Sequence, residues 1–181
     1  MITNNKCHNL KIDRPIVLIG LMGVGKSTIG RRLAARLGID FVDADQEIES
    51  AAGQSVAEIF EKYGETYFRD GERRVIARLI EGRAMVIATG GGAFMNENTR
   101  ALILEKAITV WIDADVSLLA ERVGRRDTRP LLSGKDPKAV LTSLAAIRNP
   151  VYKLAPIHVR SEIAPAEATV DAILEKLTCE R

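Results

Sequence analysis

Gly20-Leu21-Met22-Gly23-Val24-Gly25-Lys26-Ser27 matches the pattern G-x-x-x-x-G-K-[ST] in full. Pro15 to Ile19 before it is a short β-branched run. Lys26 to Leu37 after it has Ile29, Leu33 and Leu37 on one helical face, and Gly38 is placed to end the helix. A strand, a glycine-rich turn and a helix in this order make a phosphate cradle. The glycines let backbone N–H groups close on phosphate oxygens, and the helix N-terminus adds partial positive charge. Lys26 supplies an ammonium for the outer phosphates, and Ser27 a hydroxyl oxygen for Mg²⁺. The loop names a nucleoside triphosphate and its metal. It leaves the acceptor open.

The same alternation continues along the chain. Strands are predicted over Ile39 to Val42, Ala84 to Ala88, Ile108 to Ile112 and Ile157 to Arg160. Helices are predicted over Ser55 to Tyr63, Tyr67 to Ile80, Asn96 to Leu104, Val116 to Val123 and Lys138 to Ile147, with Pro165 opening a last one. Alternation of this kind predicts an α/β fold, a parallel sheet with helices on both faces. At 181 residues the chain makes one domain, residues 15 to 181, behind a polar arm of residues 1 to 14. The formal net charge of +2 does not imply a general nucleic-acid surface. No apolar run is long enough to span a membrane, and the arm lacks the apolar core of a secretory signal. The two cysteines, Cys7 and Cys179, form no CxxC pair, and a cytoplasmic location is expected.

Four further groups carry chemistry. Asp43 and Asp45 sit at the carboxyl end of the second strand, the edge where open α/β sheets bind ligands. In extended chain they point the same way. One could hold the hydration shell of Mg²⁺ and the other accept a hydrogen bond from an attacking hydroxyl. Alternatively, one of them caps the helix that begins near Gln46. Gly90-Gly91-Gly92 follows the third strand and leaves its backbone open to a ligand, or makes a plain turn. Arg69, on a stripe continuing through Arg73, Ile76 and Ile80 with Glu72 three residues on, and Arg148, at a helix end, suit a planar carboxylate. Each is equally an ordinary surface arginine. Arg122, Arg125, Arg126 and Arg129 crowd a stretch bracketed by Gly124 and Gly134. That segment, about 124 to 136, is a lid closing on the triphosphate or a solvated charge run.

Taken together, these motifs resemble the shikimate kinase family. The resemblance rests on Gly20 to Thr28, Phe41-Val42-Asp43-Ala44-Asp45, Ile59-Phe60, Phe68-Arg69 with Glu72, Gly90 to Ala93, Arg129-Pro130-Leu131-Leu132 and Arg148-Asn149-Pro150-Val151-Tyr152, and covers roughly residues 15 to 178. It implies a three-layer P-loop fold like that of nucleoside monophosphate kinases, with a five-stranded parallel sheet. It implies transfer of the γ-phosphoryl group of ATP to the 3-hydroxyl of shikimate, on the route to the aromatic amino acids. No partner-binding surface is visible in the sequence, and a monomer is the default expectation. Carried over by position, Gly23, Val24, Gly25, Lys26, Ser27, Thr28, Arg122 and Arg129 would bind ATP, with Ser27 and Asp43 toward Mg²⁺. Asp45, Arg69, Gly90, Gly91, Gly92, Arg148, Phe60 and Phe68 would bind shikimate, with Asp45, Lys26 and Arg129 as the catalytic set. Arg122 would stack on adenine, with Pro165 opposite. Three features depart from the family or lack an account: the long arm, Gly71 inside a helix, and Ala88, which offers no hydroxyl, so that a metal-water contact there would have to come from Thr89 or elsewhere. Two rivals stand: a kinase of the same architecture acting on another acceptor such as gluconate, and a nucleotide-gated binding module that transfers nothing.

Overall fold

The computed structural model describes residues 11–124 and 134–179. Five strands form one parallel sheet: β1 (Ile16–Ile19), β2 (Asp40–Asp43), β3 (Met85–Ala88), β4 (Ile108–Asp113) and β5 (Ile157–Arg160), in the order β2-β3-β1-β4-β5. Every residue of β1 and β3 is buried. Successive strand residues face opposite sides, so both faces of the sheet are covered, and their sequences are continuous apolar runs. The edge strand β5 alternates instead, with Ile157 and Val159 buried and His158 and Arg160 exposed.

Among the described residues, seven α-helices connect and cover the strands: α1 (Lys26–Leu37), α2 (Ala44–Ala52), α3 (Val56–Ile80), α4 (Glu97–Lys106), α5 (Val116–Gly124), α6 (Pro137–Tyr152) and α7 (Ala166–Cys179). Gly25 and Gly38 bound α1 in left-handed conformation, at φ of 96° and 67°. The chain passes from β1 out to β2, returns to β3 beside β1, and then crosses to β4 on the far side of β1. The carboxyl ends of β1 and β3 therefore flank the crevice where such sheets bind ligands.

Three sequence expectations need correction. The strand β2 stops at Asp43 and α2 starts at Ala44, so Asp45 lies in the first helical turn and the extended-chain geometry of the aspartate pair does not hold. Asp43 is the capping residue: its Oδ1 accepts from the Asp45 N–H at 3.1 Å. Helix α6 does not end at Ile147 but runs through Pro150 to Tyr152. Proline there removes one intrahelical bond, while the Lys153 N–H still reaches the Asn149 carbonyl at 3.0 Å and the buried Tyr152 anchors the turn. Arg148 is thus inside the helix and buried. On α3, Arg73 is exposed, and the buried face runs through Phe68, Glu72, Val75, Ile76, Leu79 and Ile80. The two predicted helices of this region are the two halves of α3, joined at a kink where Gly64 adopts φ 81° and ψ 174°. Its first half starts at a capping box between Ser55 and Glu58.

Candidate active site

The Lys26 ammonium folds back over its own loop, donating to the carbonyls of Gly20 at 2.7 Å and Leu21 at 3.0 Å. That pose holds the cation above the phosphate cradle. Ser27, at the start of α1, donates its hydroxyl to Asp43 Oδ2 at 2.6 Å. Asp43 therefore caps α2 with one oxygen and reaches the phosphate loop with the other.

Asp45 projects from the first turn of α2. Its Oδ1 is shut off from solvent and has no hydrogen-bond partner among the described residues. Burial, and next the Asp43 carboxylate, push its pKa above the usual aspartate value against the pull of Lys26 and Arg69. Glu72 is almost fully buried on α3. Its Oε2 accepts from Arg69 Nη1 at 2.7 Å, while Oε1 is a second buried oxygen without a partner among the described residues. Burial raises the Glu72 pKa more than Arg69 lowers it. Glu65 holds the other side of the Arg69 guanidinium, at 3.2 Å. Arg69 also lies over the Phe68 ring, whose centroid is 4.7 Å from that of Phe60.

The glycine triplet explains how these charged side chains fit together. None of the three has positive φ, so backbone freedom is not the reason for glycine here. Space is. A Cβ on Gly90 would stand 2.7 Å from Glu72 Oε1 and 3.1 Å from Asp45 Oδ1. On Gly91 it would meet Arg148 Nη1 at 3.0 Å, and on Gly92 it would meet Arg69 Nη2 at 2.5 Å. Side chains from α2, α3 and α6 occupy the volume that a Cβ would need above the end of β3.

Gly23 to Thr28, Asp43, Asp45, Phe60, Phe68, Arg69, Gly90 to Gly92, Arg122 and Arg148 line a single cavity of about 900 Å³. The structure brings together every predicted site residue that it describes. Arg129, and with it Arg125, Arg126 and most of the predicted lid, lies outside the described residues. Arg122 donates to the Glu162 carbonyl at 3.1 Å, and Ser161, Ala164 and Ala166 wall the cavity around Pro165. The Thr89 hydroxyl, the candidate for contact with metal-bound water, donates to the Leu18 carbonyl at 3.0 Å.

Two residues near the site, one of them within the quoted Arg148 to Tyr152 motif, have no role assigned from the sequence. Glu49 lines the cavity and accepts from the Val56 N–H at 2.9 Å, tying α2 to the start of α3. Its position one helical turn after Asp45 was the available signal. Tyr152, one turn after Arg148, is fully buried and donates its hydroxyl to the Gly91 carbonyl.

Comparison with known proteins gives a consistent result. The family model described as shikimate kinase matches residues 22–178. A shikimate kinase of Caulobacter vibrioides is 60% identical over 164 residues, covering 91% of this chain and 82% of that relative. One of Zymomonas mobilis is 58% identical, covering 91% and 93%. The solved structure of the shikimate kinase from Acinetobacter baumannii, in complex with shikimate, superposes with a TM-score of 0.90 at 37% identity, covering 93% of this chain and 94% of that one. A phosphate loop, an adjoining pocket of two arginines and two carboxylates, and identity at this level over nine-tenths of the chain lead to one assignment: the chain belongs to the shikimate kinase family.

Proposed function

We propose that this chain transfers the γ-phosphoryl group of MgATP to the 3-hydroxyl of shikimate. The observation that carries the reading is the meeting of Arg69 and Arg148 over Gly91 and Gly92, beside Asp45, in the cavity that also holds the phosphate loop. Two guanidinium groups at one end suit the substrate carboxylate. The Glu72 pair fixes the Arg69 fork before substrate arrives. Asp45 then faces the ring hydroxyls. Its solvent-shielded Oδ1 accepts the proton of the 3-hydroxyl as that oxygen bonds to phosphorus and ADP departs. Phe60 and Phe68 wall the acceptor side, and the glycine triplet offers backbone contact. Excluding water there keeps the phosphoryl group from being lost to hydrolysis.

Lys26 neutralises charge on the transferring group, and the cradle of Gly23, Val24, Gly25, Ser27 and Thr28 orients the triphosphate. Arg122 serves the adenine end, and Arg129 is assigned to the phosphates on the resemblance alone. The paired oxygens of Ser27 and Asp43, 2.6 Å apart, fit Mg²⁺, which keeps several waters and takes few protein ligands. Mg²⁺ there would neutralise phosphate charge. The working unit is read as a cytoplasmic monomer, the default for a chain whose cysteines form no CxxC pair and whose sequence shows no partner-binding surface. Residues 15 to 181 act as one domain, with 124 to 136 as the lid. Among the described residues, one buried core running from Ile16 to Leu177 supports the single domain, and the lid rests on the sequence pattern alone.

The test is ADP release from MgATP by the purified protein offered shikimate, gluconate or neither. Release that depends on shikimate supports the reading. Equal rates in all three tubes would sink it.

A further inference from the structure

Gly90, Gly91 and Gly92 present their backbone to the substrate cavity, so the setting of their peptide planes decides which groups face a ligand. Two of the three carbonyls are bound by backbone alone: Gly90 accepts from Ala93 N at 3.2 Å and Gly92 from Met95 N at 3.0 Å. The third, on Gly91, accepts from the Tyr152 hydroxyl. Tyr152 does not line the cavity. Its ring is fully buried between Phe94 and Trp111, with centroids 6.4 and 6.0 Å away.

The hydroxyl of Tyr152 has two consequences for the acceptor site. In a trans peptide the C=O and the following N–H point opposite ways. Drawing the Gly91 carbonyl toward the buried Tyr152 therefore turns the Gly92 N–H away from it. Tyr152 also stands one helical turn beyond Arg148, and the Arg148 guanidinium packs on the very residue that Tyr152 grips. The phenol is pushed up to about 12 by burial, against the pull of Arg148, so it remains a donor throughout the working pH range.

We infer that Tyr152 is a positioning residue for the acceptor: its hydroxyl fixes the Gly91–Gly92 peptide and, both through that peptide and by its own contact with the guanidinium, the seat of Arg148. It touches neither ATP nor shikimate. This rests on the function proposed above, and the wild-type arm of the test separates the two: a wild-type protein that does not phosphorylate shikimate fails the function, not Tyr152.

The experiment is steady-state kinetics of Tyr152→Phe, Arg148→Lys and the double variant, with thermal melting of each. Tyr152→Phe keeps the ring and removes only the hydroxyl. A rise of about tenfold in KM for shikimate is expected, from losing one buried hydrogen bond and its alignment, with kcat within about twofold and KM for ATP unchanged. In the double variant the two increases in KM should fall short of multiplying, because both act on one contact. An unchanged KM for shikimate overturns the proposal. Equal increases for both substrates, fully multiplicative effects or a Tyr152→Phe protein that does not fold also overturn it, since each makes the hydroxyl a support of the fold rather than of the acceptor site.

Discussion

Ser27 Oγ and Asp43 Oδ2 lie 2.6 Å apart, joining the start of α1 to the end of β2 across the mouth of the phosphate loop. The two oxygens come from separate βα units, and the bond sets them side by side before metal arrives. Asp43→Ala should raise the Mg²⁺ concentration that gives half-maximal activity by about tenfold, in line with the loss of a group that orients a metal site. Titration of initial rate against Mg²⁺ at fixed ATP checks this. An unchanged Mg²⁺ requirement would remove Asp43 from the metal site and leave it as a helix cap.

Asp45→Asn preserves size and removes the acceptor of the hydroxyl proton. Turnover should fall by at least about 100-fold, the lower range for general-base catalysis, while the affinity for ATP stays within about twofold. Single-turnover rates and nucleotide binding, measured on the same preparation, separate the two effects. The first would be unchanged if Asp45 were only a surface carboxylate.

Gly92→Ala would place its Cβ 2.5 Å from the Arg69 guanidinium, the far end of a flexible side chain. The arginine can swing aside, so the fold should survive and the carboxylate contact should not. KM for shikimate is expected to rise at least about tenfold, because misplacing one positioning group by an ångström is costly, and the melting temperature should fall while the protein still folds, because the displaced arginine loosens its pair with the buried Glu72. Kinetics and a thermal melt on the same variant provide the check.

Gly71 lies in the interior of α3, and a Cβ there would meet nothing within 4 Å. Nothing in its surroundings explains glycine at this position. Gly71→Ala should stabilise the protein by up to about 1 kcal/mol from helix propensity and leave both KM values unchanged. Denaturant unfolding is the measurement.

Glu72 gives a pH dependence with a definite sign. Its folded pKa is raised above the value of 4.5 for a free glutamate, with burial the leading cause. A carboxyl with a raised folded pKa binds its proton more tightly in the fold, so its contribution to stability declines as pH rises from 4.5 through the folded pKa. The stability of the wild type relative to Glu72→Gln should therefore be greater near pH 4 than near pH 7. Thermal melts of both proteins at the two pH values test it, and a difference that grows with pH would reverse the assignment.

The phosphate loop was legible in the sequence because its chemistry is local: glycine conformation, a helix N-terminus and one lysine lie within eight residues. The strands were legible for a similar reason, since a parallel sheet covered on both faces writes itself as apolar runs such as Ile16 to Ile19. The acceptor site is different. What Gly90, Gly91 and Gly92 make room for comes from α2, α3 and α6, and no local pattern shows that each glycine answers to a particular charged partner. The family resemblance pointed to Arg69 and Arg148, whereas only the packing shows why they meet. Local reasoning failed where tertiary contacts override propensity. Tyr152 anchors α6 past Pro150, and the start of α2 at Ala44 turns the aspartate pair from parallel neighbours into a cap and a pocket carboxylate.

The central claim is that the acceptor is the 3-hydroxyl of shikimate. Phosphorus NMR of the product formed from MgATP and shikimate tests it most directly. The account predicts one phosphate monoester on the 3-oxygen, formed in equal amount to the ADP released. Phosphate appearing at another hydroxyl, or ADP accumulating beside unmodified shikimate, would contradict it.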